Sequence, residues 1–175
     1  GQVGWVVSKM LTPVSEEAIR LLGEKREANG EGVVATPMAV ATDTKTSEQL
    51  MLTIGTRLPY YKKGTFEVLG KKYKIDPRCV YEIKGERSEV KGKDVVRVAQ
   101  SLLNVPYLWG GKNMMGYDCS GFTQTVYSVF GINLLRNARE QVTQGQVVGS
   151  LAEAQLGDLV FFDHADRNPN ATRIT

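Results

Sequence analysis

The sequence predicts an α+β chain in two parts, a small all-β barrel followed by a mixed unit of helices and strands. Between Gly32 and Ile83, short strand-like runs are broken by turns every few residues, which is the spacing of a small barrel. From Asp94 onward the apolar spacing lengthens to the 3.6-residue period of helices. The 175 residues suffice for one or two cores, and 42% hydrophobic with 23% charged residues is an ordinary globular balance.

Residues 1–12 alternate apolar and polar groups around Gly4-Trp5-Val6-Val7 and are expected to form the last strand of a truncated first barrel. Residues 13–31 read as a linker with a short helix. Ser15-Glu-Glu supplies its start, Ala18, Ile19, Leu21 and Leu22 its apolar face, and Asn29-Gly30 its stop. Residues 32–86 hold the barrel, with strands expected at Val33-Val34, Met38 to Ala41, Gln49 to Ile54, Leu58 to Tyr61, Thr65 to Leu69, Tyr73 to Ile75 and Val80 to Ile83. Such a unit serves either as a packing or spacer domain or as a recognition module. Charged, glycine-containing Gly85 to Lys93 reads as a linker.

Residues 87–175 form the second unit. Asp94 opens a helix with Val95, Val96, Ala99, Leu102 and Leu103 on one face, ended by Pro106. Phe122, Val126 and Phe130 mark a second helix that begins at Cys119 or Ser120 and ends at Gly131. Asn137-Ala-Arg-Glu140 has the form of a capping box and opens a third, short helix. Leu159-Val-Phe-Phe162 reads as a buried strand, His164 to Asn170 as a polar loop, and Ile174-Thr175 as the first step of another strand.

The totals exclude several classes. Net charge is +3 with scattered basic residues, so there is no nucleic-acid footprint. No apolar run approaches the roughly 20 residues of a membrane span. Cys79 and Cys119 do not make a disulfide framework, and with the single His164 they cannot build a zinc site, so no metal or cofactor is expected.

The chemistry is expected at Cys119. A thiol at a helix N-terminus faces backbone N–H groups and the positive end of the helix dipole. Both favour thiolate, and the same N–H groups can stabilise an oxyanion. Gly121 is expected to remove a side chain where a substrate comes close, with Gly110 and Gly111 doing likewise on the facing loop. The alternative is a buried structural cysteine. Cys79, in Asp76-Pro-Arg-Cys-Val-Tyr81, reads as a small buried hydrophobe. A cysteine nucleophile also requires a base, and His164, the single histidine, lies in the polar loop, where a solvated loop histidine is the first reading and the base the second.

Residues 93–175 resemble the NlpC-type cell-wall cysteine peptidases, a papain-like family acting on peptidoglycan peptides. The likeness rests on Tyr107-Leu-Trp-Gly-Gly111, Asp118-Cys-Ser-Gly-Phe122, Gly131-Ile-Asn-Leu-Leu-Arg136, Arg139-Glu-Gln141 and Gly157-Asp-Leu-Val-Phe-Phe162. The barrel region resembles the bacterial Src-homology-type barrels that precede such domains. The nearest likeness is to the dipeptidyl-peptidase VI-like subgroup, which cleaves the γ-D-glutamyl bond to an L-diamino acid in short muropeptides.

The resemblance implies that Cys119 is the nucleophile, with Tyr107 supporting the oxyanion or the thiolate. Asp118 and Ser120 would hold the D-glutamyl part and the free amino terminus of an L-alanyl peptide. Trp109 and Arg136 are further cleft candidates, the alternatives being core packing for Trp109 and a surface ion pair for Arg136. Where the family has a serine two residues after the arginine, this chain has Ala138. The family's catalytic histidine lies on the strand after the variable loop, so it is expected beyond Thr175, on the same chain or on a separate C-terminal fragment of the same protein. A cell-envelope location follows from the substrate. The competing readings are a non-catalytic wall-peptide-binding module and a thiol amidase or acyltransferase acting on another substrate.

Overall fold

The computed structural model describes residues 13–17, 19–20, 31–83, 90–162 and, for the backbone, 172–174. The strand expected over 1–12, most of the linker helix, the 85–89 part of the second linker and the His164 loop lie outside the described residues. Of the linker helix, residues 16, 17, 19 and 20 are helical, and Ile19 N donates to Ser15 O at 3.1 Å.

Seven strands come first. β1 (Glu31–Val34) lies between β4 (Arg57–Leu58) and β7 (Val80–Ile83), antiparallel to both. β2 (Met38–Asp43), β3 (Gln49–Thr53), β5 (Thr65–Val68) and β6 (Lys71–Ile75) form a second antiparallel sheet in the order β3-β2-β6-β5. Turn chemistry sets the registers. The Asp43 carboxylate accepts from the N–H groups of Lys45 and Thr46 at 2.7 and 3.1 Å and closes the β2–β3 turn. Leu69 and Gly70 both have positive φ, 51° and 73°, as a two-residue hairpin between Val68 and Lys71 requires. The strand expected at Leu58 to Tyr61 stops at Leu58, because Pro59 and Tyr60 turn the chain, Tyr60 with φ 55°.

Among the described residues the two ladders are not joined into a closed barrel. They share one core of Val34, Ala39, Ala41, Leu58, Tyr61, Phe66, Tyr73 and Ile75, in which the rings of Phe66 and Tyr73 stack at 5.2 Å.

β1 is buried on both faces. Successive strand residues point to opposite sides. Val34 therefore enters the sheet core, while Val33 enters a second core with Ile54, Val95, Val98, Leu102, Tyr117, Val126, Val129 and Phe130. One short strand joins the β part to the helices.

The helices of that second core are α1 (Gly92–Ser101) and α2 (Cys119–Ser128). α1 starts two residues before Asp94. Gly92 is the site of a close approach, since a Cβ there would stand 1.5 Å from the Leu156 carbonyl oxygen. The hydroxyl of Tyr127, on α2, donates to the neighbouring Gly157 carbonyl, so the 156–158 turn is pinned from both helices. Of the expected apolar face of α1, Val95 and Leu102 are buried and Ala99 packs against them, Val96 is half-buried, and Val98, not expected there, is buried as well. Leu103 lies past the helix end and is 70% exposed.

The Gly-rich approach to α2 forms a small hairpin, β8 (Lys112–Asn113) with β9 (Gly116–Tyr117), which the sequence pattern does not announce. α3 (Ala138–Gln141) follows the Asn137 turn, and the Glu140 carboxylate accepts from Asn137 N–H at 3.0 Å. β10 (Val160–Phe162) pairs with β11 (Thr172–Ile174). The run expected to be buried at β10 is open instead, with Phe162 85% exposed. Among the described residues β11 is its only strand partner. No helix among the described residues is long and apolar enough to cross a membrane.

Candidate functional site

The site is assembled at the first turn of α2 by three short segments. Leu108 N donates to Tyr117 O and Tyr117 N to Pro106 O, both at 3.1 Å, so the 106–108 segment lies alongside the strand that delivers Asp118. The hairpin then folds the Gly110-Gly111 turn against the helix start, and Asp118 N donates to Gly111 O at 3.1 Å. A Cβ on Gly121 would lie 2.2 Å from that same Gly111 oxygen. Gly121 is therefore required by the chain's own backbone, which occupies the space that sequence reasoning reserved for a substrate.

Asp118 is the N-cap of α2. Its Oδ1 accepts from Gly121 N–H at 2.6 Å and its Oδ2 from Gly110 N–H at 3.0 Å, which joins loop and helix through one carboxylate. Arg136, from the segment after α2, adds a fork: Nη2 donates to Asp118 Oδ2 at 2.6 Å, Nη1 to Oδ1 at 3.1 Å and to Ser120 Oγ at 3.0 Å. Asp118 and Ser120 are 8% and 6% exposed. The Arg136 bond holds the Asp118 carboxyl well below its ordinary 3.8, at about 2, against the upward push of burial, with the Gly121 and Gly110 N–H groups assisting. The partner effect raises Arg136, through its bond to Asp118 first.

Gln141 completes the arrangement and was not among the expected site residues, although it stands in the Arg139-Glu-Gln141 motif. At 2% exposure its side chain is fully buried and fully bonded. Nε2 donates to Ser120 O at 3.0 Å and Leu135 O at 2.8 Å, and Oε1 accepts from the Thr123 hydroxyl at 2.8 Å. The first turn of α2 is thus tied to the segment that carries Arg136.

Cys119 stands at the first helical position and is exposed, whereas Cys79 is half-buried against the sheet core; both thiols are free. The N–H groups of Cys119 and Ser120 have no acceptor among the described residues. An exposed sulfur beside open donors on a braced turn can attack a carbonyl and hold the resulting oxyanion. Tyr107 and Trp109, on the neighbouring segment, are 65% and 87% exposed, which removes core packing as the reason for Trp109. A cavity of about 170 Å³ flanks α2 near Gln124, Ser128 and Asn133, and Cys119 is not part of its lining. His164 lies outside the described residues, and no group of side chains among the described residues could hold a metal ion.

The sequence model of the NlpC/P60 family matches residues 104–173, the segment that carries every residue of this site. A gamma-D-glutamyl-L-lysine dipeptidyl-peptidase of Bacillus cereus is 30% identical over 174 residues, covering 94% of this chain and 50% of the relative. Its namesake from Bacillus subtilis is 29% identical over 143 residues, covering 77% and 46%. The chain spans about half the length of these relatives. The crystal structure of an NlpC/P60 family protein from Bacillus cereus superposes with a TM-score of 0.68 at 25% identity, over 89% of this chain and 52% of that one.

Proposed function

From the match of residues 104–173 to the NlpC/P60 family model we propose that the chain belongs to that family and is the thiol-bearing part of a cell-wall cysteine peptidase. Its reaction is hydrolysis of the γ-D-glutamyl–L-diamino acid bond in short peptidoglycan peptides. The observation that carries this reading is Cys119, an exposed thiol at the first position of a helix capped by Asp118. Two relatives bear the name of a peptidase for the γ-D-glutamyl-L-lysine bond, which favours lysine as the diamino acid.

The Cys119 thiolate adds to the γ-carbonyl carbon, and the oxyanion lies against the open N–H groups of the first turn, with Tyr107 beside it. The C–N bond breaks, the diamino acid leaves as an amine after receiving a proton from the base, and a thioester remains. Water then hydrolyses the thioester and returns the thiol. Trp109 offers an exposed ring to the peptide. In this reading Asp118 and Ser120 help hold the D-glutamyl part and the free L-alanyl amino end, with Arg136, bonded to both, as a further cleft residue.

The base is assigned to a histidine beyond Thr175, carried by the same chain or by a separate fragment, and not to His164. In this reading residues 32–86 are a Src-homology-like barrel that narrows the peptide end of the cleft and selects short peptides, and the protein works in the cell envelope. The test is release of L-Ala-D-Glu from L-Ala-γ-D-Glu-L-Lys, followed by mass spectrometry. A form extended past Thr175 is expected to release it, and to do so equally with His164→Ala. The 175-residue chain and the extended Cys119→Ala form are expected to release none. Comparable release by the unextended chain, abolished by His164→Ala, would refute the assignment of the base.

A further inference from the structure

Asp118 immediately precedes the candidate nucleophile, and its carboxylate has two opposed effects. As a cap it fixes the first turn of α2 through Gly121 N–H and the loop through Gly110 N–H. As a buried negative charge beside Cys119 it opposes a second negative charge on the sulfur. A carboxylate capping a catalytic thiolate's own helix is useful only if its charge is cancelled locally.

Arg136 has the geometry to do this. Its fork meets both carboxylate oxygens, at 2.6 and 3.1 Å, and a third bond reaches Ser120 Oγ. A lysine ammonium could not span both oxygens and the hydroxyl in one plane. Gln141 anchors the same segment to Ser120 O and Leu135 O, which keeps the guanidinium in register with the helix start. We propose that Arg136 is a positioning residue for the thiolate, cancelling the charge of Asp118 so that Asp118 can cap the helix without opposing the charge on Cys119. The inference rests on the reading of Cys119 as nucleophile and adds a second role to Arg136.

The other charged or titratable groups around the turn do not replace it. The Lys112 Cγ lies 3.0 Å from where a Gly121 Cβ would stand, and Lys112 is exposed. Tyr107 is exposed on the 106–108 segment. On α3, Arg139 is exposed and Glu140 is bonded to Asn137 N–H. Among the described residues, Arg136 alone forms a salt bridge with Asp118.

The test needs no substrate. The rate of iodoacetamide alkylation of Cys119 is followed against pH, with the site read by peptide mass mapping. Arg136→Met is expected to slow alkylation at neutral pH about tenfold and move the rate–pH profile up by about one unit. Adding Asp118→Asn keeps a capping side chain while removing the charge, and is expected to return the profile most of the way to that of the native chain. Arg136→Lys is expected to fall between. An unchanged profile in Arg136→Met, or a double variant as slow as the single one, overturns the proposal. Circular dichroism checks each fold. If Arg136→Met does not fold, Asp118→Asn alone decides: faster alkylation than the native chain at about pH 6 supports the charge account, and slower alkylation refutes it. Failure of an extended form to cleave any wall peptide, with the profiles moving as expected, would remove the substrate assignment and leave this one standing.

Discussion

At the residue scale the site depends on how few alternatives its small groups leave. Gly121 admits the Gly111 carbonyl at a distance no Cβ tolerates. Gly121→Ala must push the loop off the helix start, so a loss of about 2 kcal/mol or more is expected in urea unfolding, with faster proteolysis of the 106–118 segment. Asp118 makes a pH prediction. Its folded value, about 2, lies below its ordinary 3.8. The pair therefore stabilises the fold fully above about pH 4, and that contribution is lost as pH falls from about 4 to 2. Melting temperature is expected to drop across that window in the native chain and to drop less in Arg136→Met; equal drops would contradict the pairing. Cys119 is exposed and Cys79 half-buried, so mapping of a brief alkylation is expected to find Cys119 labelled first.

At the scale of elements, much of α2 was legible because its signals are local. Asp118 caps it, and Phe122, Val126 and Phe130 repeat at helical spacing within a few residues. The short α3 was legible for the same reason, through Asn137 and Glu140. The β8–β9 hairpin was not, since Lys112-Asn-Met-Met-Gly-Tyr117 shows no alternation and is held by the Asn113 side chain accepting from Met115 N–H at 2.8 Å. On α1 the spacing found Val95, Ala99 and Leu102 but missed Val98 and included Leu103, which is exposed because the helix ends at Ser101. The Asp118–Arg136 pair and the Gln141 anchor span 18 and 21 residues, a separation at which charge and amide side chains carry no pattern. Gln141→Leu leaves Ser120 O, Leu135 O and the Thr123 hydroxyl without that partner. A cost of about 2–3 kcal/mol is expected in thermal or urea unfolding, with α2 amides near Ser120 losing hydrogen-exchange protection. Unaltered protection there would show that the anchor is not what holds the turn.

At the scale of the whole molecule, the class of the chain was legible from the switch in apolar period, whereas the joint between its parts was not. Val33 and Val34 are both fully buried, and only the pairing of β1 with β4 and β7 shows that they serve different cores. Val33→Ala and Val34→Ala are each expected to cost about 2–3 kcal/mol and to lower a single unfolding transition seen alike by tyrosine absorbance and helical circular dichroism. Two separated transitions would mean that β1 does not couple the cores. The central claim is that this folded frame exists to present Cys119 as an acylated nucleophile. It is tested most directly by acid-quenching a form extended past Thr175 during turnover of L-Ala-γ-D-Glu-L-Lys and mapping the digested protein by mass spectrometry. The predicted result is an L-Ala-γ-D-glutamyl thioester on the peptide containing Cys119, absent from Cys119→Ala. Continued release of L-Ala-D-Glu by Cys119→Ala would contradict it.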